Sequence, residues 1–153
     1  MRLVLVSVIA ALAATTSAHA ADAECSVTQL KGVLQEVSGS RTKTQLHYSL
    51  VVTNRGGECA VFGAPTGVLL GKTRNVQRTH VLKPAGSKLY VVVRPGQAAR
   101  SSLIVTRTGS CNGISFWFRL RGPSGSGTLD VPFAPHARVC AGGRLDFTYF
   151  GPG

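Results

Sequence analysis

The sequence predicts an all-β domain, an immunoglobulin-like antiparallel β-sandwich of eight or nine short strands with two disulfides. Short runs of alternating apolar and polar residues are separated by Gly, Pro and Asn turns, at the spacing typical of a sandwich. No window has the periodicity of a long amphipathic helix. The four cysteines all follow the first 20 residues, and four cysteines in an oxidising compartment most often form two disulfides.

Residues 1–20 have the pattern of a secretory signal peptide. Arg2 supplies the positive charge, and the apolar run Leu3–Ala14 is too short to span a bilayer. Ala18–His19–Ala20 then fits the small-x-small cleavage pattern. We expect cleavage after this tripeptide, which leaves residues 21–153 as a single β-sandwich domain, secreted or periplasmic. A retained N-terminal anchor is the alternative.

The central stretch, residues 48–65, organises the strand prediction. It contains the end of an alternating strand, a turn at Asn54–Gly57, a short strand from Cys59 to Phe62, and a stop at Gly63–Ala64–Pro65. Asn and Gly tolerate positive φ, so a chain reversal is expected at the turn. The strand before it alternates from Gln45 to Thr53 with its apolar side chains facing inward.

Three later segments complete the strand pattern. Ala99–Arg107 alternates like the segment Gln45–Thr53, with Leu103 and Val105 facing inward. The most hydrophobic single face belongs to the segment Ile114–Arg121, and it consists of Ile114, Phe116, Phe118 and Leu120. Farther along the chain, Leu129, Val131 and Phe133 alternate around Pro132, which predicts an edge position for that proline.

The charge balance favours anionic partners. Lys and Arg number 17 against six Asp and Glu, giving a formal net charge of +11. Such a field attracts phosphate-bearing envelope polymers, anionic lipid head groups or acidic proteins, and salt screens it. An anionic envelope polymer or a protein partner is expected rather than nucleic acid. The alternative is a solvated basic surface with no ligand.

Two features are candidate binding sites. The first is a basic loop predicted from Lys72 to Lys88, which contains no acid. The second is one strand face with an aromatic ring beside two guanidinium groups, a combination that stacks on sugars or bases and pairs with phosphate. Together the candidate residues are Lys72, Arg74, Arg78, Lys83, Lys88, Trp117, Arg119 and Arg121. The alternatives are a solvated loop, and a Trp117 that covers the sheet or a disulfide.

No catalytic constellation is recognisable. Asp130 and Asp146 lie on outward faces of late strands and could be neighbours, but a solvated or salt-bridged pair is favoured over a catalytic one. His47, His80 and His136 lack the sequence context of a triad. The Gly-rich loop at 122–127 resembles a phosphate cradle in composition only, and a hairpin loop is favoured. We expect no enzyme activity, no cofactor and no metal.

Copper binding is a less favoured possibility. Cleavage after Ala18 would make His19 the N-terminal residue, and an amine with an imidazole chelates Cu(II). Cleavage after Ala20 fits the pattern better, so we expect this site to be absent from the processed protein.

The cysteine pairing is open from spacing alone, since Cys25, Cys59, Cys111 and Cys140 allow three pairings. Sequential pairing would enclose two loops of similar size, each stabilising by about 3–4 kcal/mol in the loop-entropy model. A zinc or redox site is disfavoured because the sequence contains no CxxC and no histidine at ligand spacing from a cysteine.

The order of motifs resembles an exported bacterial family called domain of unknown function 4232, common in actinobacteria. The motifs are Cys25, Thr53–Asn54, Cys59, Gly63–Ala64–Pro65, Pro95–Gly96–Gln97–Ala98–Ala99, Cys111 and Cys140. The resemblance implies a secreted or surface-attached β-sandwich with two sequential disulfides, but no reaction and no ligand. The sequence departs from the family at Ala64, where an aromatic residue is frequent. It also lacks a lipid-attachment signal, because Glu24 precedes Cys25.

We therefore expect an exported, non-catalytic β-sandwich that works by binding at or outside the cell envelope. A secreted protein–protein interaction factor or inhibitor is the second hypothesis. A small enzyme or a copper protein is the third.

Overall fold

A computed structural model describes residues 23–86, 90–122 and 127–153. This part of the chain contains eleven strands, one 3₁₀ turn at Val27–Gln29 and no α-helix. The strands are β1 (Leu30–Glu36), β2 (Gln45–Asn54), β3 (Cys59–Phe62), β4 (Gly67–Leu70), β5 (His80–Leu82), β6 (Tyr90–Val93), β7 (Ala98–Thr106), β8 (Ile114–Arg121), β9 (Thr128–Arg138), β10 (Arg144–Phe147) and β11 (Gly151–Pro152).

Most strands belong to one mixed sheet. Its order is β4-β8-β9-β1-β2-β7-β10-β5, and β11 pairs with the start of β7. The β1–β9 and β5–β10 pairs are parallel and the others are antiparallel. The β3 and β6 strands form a separate antiparallel ribbon.

The main sheet curls around a single apolar core. Phe118 of β8 and Phe147 of β10 lie second and seventh in strand order, yet their ring centroids are 5.2 Å apart. Tyr48 and Phe133 meet edge to face in the same core, with centroids 5.2 Å apart. The all-β prediction is confirmed, with eleven strands instead of eight or nine. The immunoglobulin-like arrangement stays a prediction, because the large sheet is continuous and not divided into two.

The alternating segments fold as predicted. The β2 and β7 strands pair over nine residues, from Gln45 opposite Thr106 to Thr53 opposite Ala98. Their inward side chains are buried, including Leu50 and Leu103. A strand with period two places every second side chain on one face, so this local pattern determines the buried face.

The β8 strand departs from its predicted face. A β-bulge between Ser115 and Trp117 shifts the alternation, so that Ser115 is buried while Ile114 is 48% exposed. The prediction that Ile114 shares one face with Phe118 is therefore wrong. The edge prediction for Pro132 is also wrong: β9 pairs on both sides, and the proline lies opposite Trp117, beside the bulge. A bulge is one of the few places where a sheet accepts proline.

Both disulfides are sequential. Cys25 pairs with Cys59, and Cys111 pairs with Cys140, as the family resemblance implied. The first disulfide lies in the core beside the ribbon, where the Cys25 amide also donates to the carbonyl of Ala60. The second fastens the loop before β8 to the turn after β9. Two disulfides are typical of proteins that function outside the cytosol.

The predicted turn at Asn54–Gly57 joins the main sheet to the ribbon. The buried side-chain amide of Asn54 donates to the carbonyl oxygens of Gly57 and Val93, at 2.7 and 2.9 Å. Its side-chain oxygen accepts from the amide of Gly56 at 2.9 Å. One asparagine side chain therefore closes the turn and connects β2 to β6.

Several predictions concern residues that lie outside the described part of the chain: the signal peptide with His19, Lys88, and most of the Gly-rich loop at 122–127. Among the described residues, no helix has the length and apolar character needed to span a membrane.

Candidate functional site

Three side chains of β8 and β9 and one from the turn after β4 form a cluster that we call the Trp117 cluster: Trp117, Arg119 and Asp130, with Arg74. The Arg119 guanidinium donates to both carboxylate oxygens of Asp130, its cross-strand neighbour, at 2.6 and 2.9 Å. Arg74, from the predicted basic loop, also donates to Asp130. Its guanidinium carbon lies 4.8 Å from the centroid of the Trp117 ring.

The charged side chains of this cluster are largely paired with one another, which favours a structural role over ligand binding. The hydrogen bonds from Arg119 are the main cause that lowers the pKa of Asp130, and they raise the pKa of Arg119 in turn. The carboxylate thus compensates one of the two guanidinium charges, and Arg74 covers one face of the indole. Trp117 is half-buried outside the core cluster, against Arg74 and Phe116, and the alternative that it covers the sheet or a disulfide stays a prediction.

The other described candidate residues lie outside the Trp117 cluster. Lys72 is exposed in the turn after β4, and Arg78 is exposed where its carbonyl accepts from the side chain of Asn112. Lys83 follows β5, a short strand within the segment predicted as a loop. Arg121 ends β8, at the mouth of an apolar cleft described below. Of the described cations in the basic loop, Arg74 is the one with contacts to Trp117 and Asp130.

A more focused cationic site lies elsewhere, in a cavity of about 310 Å³ that we call the arginine pocket. Three guanidinium groups and an imidazole surround it, together with apolar side chains. Its lining residues are Arg41, Leu46, Arg107, Ile114, Phe116, His136 and Arg138. A volume at the lower end of the range for small-molecule sites, about 300–1,000 Å³, suits one compact group.

Four parts of the chain build the arginine pocket. Arg41 comes from the loop between β1 and β2, while Arg107 directly follows β7 and donates to the carbonyl of Thr42 at 3.0 Å. His136 lies near the end of β9, and its ring centroid is 3.9 Å from that of Phe116. The β-bulge in β8 accounts for this contact, since a bulge redirects the side chains next to it.

The arginine pocket carries excess positive charge. Arg41 is paired with Glu36 through two hydrogen bonds of 3.0 and 2.9 Å, which are the main cause that lowers the pKa of Glu36. Arg107 adds to that lowering through its charge. Among the described residues, no acid forms an ion pair with Arg107 or Arg138. The pocket therefore has the electrostatics of an anion site.

Little in the sequence indicates this pocket, because its residues are far apart in the chain and no motif joins them. The strand order brings the end of β7, the start of β8 and the end of β9 together.

The structure separates the acids that were considered as a catalytic pair. Asp130 lies on β9 and Asp146 on β10, with three strands between them in the sheet. Asp146 is bonded to Arg144, at 3.1 and 3.3 Å, and Asp130 to Arg119. In the described ranges, no three His, Cys, Asp or Glu side chains group as metal ligands do.

These features define a disulfide-bonded all-β domain with a cation-lined surface pocket. Residues 25–151 match the model of a family described as "Domain of unknown function (DUF4232)", and the chain belongs to that family. The resemblance found in the motifs is thereby confirmed. None of the curated proteins matches the chain significantly, and none of the solved structures does.

Proposed function

We propose that this protein is an exported, non-catalytic binding module that captures an anionic group of an envelope polymer in the arginine pocket. The observation that carries the proposal is the convergence of Arg41, Arg107 and Arg138 around one cavity, with Glu36 as their single described acidic partner. The signal-peptide pattern and the two disulfides support export.

The chemistry of the arginine pocket favours phosphate over a compact cation or a neutral sugar. A guanidinium presents its N–H donors as a planar fork that matches the oxygens of phosphate and carboxylate. One terminal nitrogen of Arg107 donates to the carbonyl of Thr42, which leaves the other N–H donors of this guanidinium for a ligand. Phe116 and Ile114 contribute apolar walls, and a lower local dielectric strengthens each charge-assisted bond.

A non-catalytic role is supported by the distribution of reactive groups. The acids are held in ion pairs with arginines, apart from Glu24 among the described residues. The imidazole of His136 lies against Phe116, without a carboxylate hydrogen-bonded to it in the described chain. Binding requires only the positive charge, and catalysis would require a positioned acid or base.

The test compares two double variants with the same loss of charge. Arg107→Gln/Arg138→Gln removes the two cations without ion-pair partners, while Lys72→Gln/Lys83→Gln removes two exposed cations outside the pocket. Retention of the mature protein on immobilised polyphosphate is measured at low and at high salt. We expect the pocket variant to lose retention at low salt and the lysine variant to keep most of it.

Equal losses in the two variants would contradict a defined site, because they would indicate a response to net charge alone. Retention of the pocket variant at the wild-type level would also overturn the proposal. Thermal unfolding of each variant checks that both retain the fold. Isolated bacterial envelope then replaces polyphosphate as the immobilised phase, with the same expected order.

A protein–protein interaction role is a second candidate, and the β3–β6 ribbon favours it. Phe62 and Tyr90 are opposite each other in the ribbon, with ring centroids 5.7 Å apart, and both are largely exposed. Val92, two residues after Tyr90, adds to the same exposed face. Recovery of one stoichiometric partner whose binding is insensitive to salt, and lost in Tyr90→Ser, would support this role.

A further inference from the structure

An apolar cleft opens beside the Cys25–Cys59 disulfide. Its lining is mostly apolar, whereas three arginines and a histidine line the arginine pocket. The volume of the cleft is about 250 Å³, and it lies where the β3 strand, the segment after it and the end of β8 meet. The side chains that shape it are almost all apolar. Those used in the argument are Val27, Val61, Phe62, Ala64, Leu120 and Arg121.

Several residues of the hydrophobic core line the inner wall of the cleft. Val61 and Leu120 belong to the core cluster yet keep 7% and 6% of their surface exposed, whereas Leu50 has none exposed. Val27 likewise remains 7% exposed. Phe62, which is 44% exposed, lines the cleft beside these nearly buried side chains. An apolar ligand against this wall would be favoured in proportion to the apolar area removed from water.

One cation lies at the mouth of the cleft. Arg121 is the only charged residue among the described residues that line it, and its side chain is exposed at the end of β8. Among those residues, no acid forms an ion pair with it. Its backbone amide donates to the carbonyl of Thr66, which fixes the strand end beside the opening. An apolar wall with a cation at its rim is complementary to an amphiphilic anion.

We infer that the apolar cleft binds the single acyl chain of a free fatty-acid-like carboxylate, with the carboxylate at Arg121. A cavity of about 150 Å³ holds a benzene-sized molecule, so 250 Å³ admits several more carbon atoms. The same volume is too small for the two chains of a membrane phospholipid, which argues for a monomeric ligand. This inference does not depend on the arginine pocket.

Titration calorimetry of the mature, fully oxidised protein with hexanoate, octanoate and decanoate tests the inference. We expect one site per molecule and an affinity that rises about fourfold for each methylene that enters the cleft. Decanol lacks the charge and should bind about tenfold more weakly than decanoate, a ratio that corresponds to one charge-assisted hydrogen bond. Binding that ignores chain length would overturn the inference.

Two variants locate the site. Arg121→Gln should bring decanoate down to the affinity of decanol while leaving decanol unchanged, and Arg121→Lys should keep most of the difference. Ala64→Phe should block both ligands, because Ala64 lines the cleft with a small, partly exposed side chain. Arg100→Gln is the matched control and should bind decanoate like the wild type, because Arg100 is exposed on β7 and lines neither the cleft nor the arginine pocket.

Methyl NMR spectra keep the inference testable if Ala64→Phe does not fold. Decanoate should shift the methyl signals of Val27, Val61 and Leu120, and leave those of Leu50 in place. Shifts confined to other residues would overturn the assignment. So would binding to phosphatidylglycerol vesicles in the absence of any binding to monomeric decanoate, since that outcome indicates a membrane surface as the ligand.

Discussion

Arg119 and Asp130 are direct cross-strand partners on β8 and β9, and two hydrogen bonds of 2.6 and 2.9 Å join their side chains. The carboxylate is only 16% exposed, and Arg74 approaches it from a different part of the chain. A pair in this position stabilises the register of the two strands in addition to contributing charge, because a shift by one residue would put the two side chains on opposite faces.

Asp130→Asn should therefore lower the free energy of unfolding by about 1–2 kcal/mol at neutral pH, through the loss of charge-assisted hydrogen bonds. The pKa of Asp130 is lowered in the folded state, so its contribution is complete above the unfolded pKa near 4 and disappears as the pH falls through the folded pKa. Urea unfolding at a series of pH values measures the difference.

At the lowest pH values, Asp130→Asn and the wild type should have the same free energy of unfolding. A difference that is constant down to the lowest pH would indicate that packing, and not charge, carries the effect. Arg74→Gln is the control within the cluster. It should cost less than about 1 kcal/mol, since Arg74 is more exposed than Arg119.

Asn54→Ala should be among the most destabilising polar substitutions in the chain. It removes the donor to two carbonyl oxygens, of Gly57 and Val93, at a fully buried position, and we expect a loss of about 2–4 kcal/mol. Denaturant unfolding measures the change. Thr53→Ala, the neighbouring residue on the opposite face, is the control and should cost less than about 1 kcal/mol. A similar cost for both would contradict the assigned role of the asparagine.

Mild reduction should open the two disulfides in a definite order. Cys25 and Cys59 are buried in the core, whereas Cys111 is exposed. Thiol exchange needs access to a sulfur, so the Cys111–Cys140 bond should be reduced first. Alkylation followed by peptide mass spectrometry identifies the free thiols, and earlier labelling of Cys25 or Cys59 would contradict this order. Loss of either bond should cost about 3–4 kcal/mol.

Tyr48 should make the fold sensitive to alkali. Its hydroxyl donates to the carbonyl of Pro135 at 2.9 Å, and burial raises its pKa to about 12, against about 10 in the unfolded chain. The unfolded state then loses its proton first, so stability falls as the pH rises from about 10 towards 12. Tyr48→Phe should be less stable than the wild type near neutral pH but should lose less on alkalinisation.

Absorbance titration of tyrosinate provides the direct measurement. The wild type should show one tyrosine that ionises well above the others, and Tyr48→Phe should lack it. Titration of all tyrosines together in the folded protein would contradict the expected environment of Tyr48.

The predictable part of this fold is the part that depends on neighbouring residues. Alternation gave the buried faces of β2 and β7 because each side chain's direction follows from its position in the strand. The turn at Asn54 was predictable for the same reason. The β8 bulge was not, since one additional residue changes the alternation without altering the composition, and Ile114 was assigned to the wrong face.

The candidate sites were harder to predict because they depend on strand order. Arg74 and Trp117 were both identified from the sequence, but only the structure shows them in contact, with Asp130 compensating part of their charge. Arg107 and Arg138 were not identified, because charge excess alone does not distinguish one arginine from another. Their convergence follows from which strand ends are adjacent, a property of the whole chain.

The outer strands of the main sheet, β4 and β5, have a further consequence for association between molecules. A bare sheet edge invites strands from other chains. Here the backbone of Leu69 in β4 is already occupied: its carbonyl accepts from the amide of Gln77 and its amide donates to the hydroxyl of Thr79. The β5 strand, at the other edge, is only three residues long. Both edges are therefore poor templates for a strand of another molecule, one because its backbone groups are already bonded and the other because it is short.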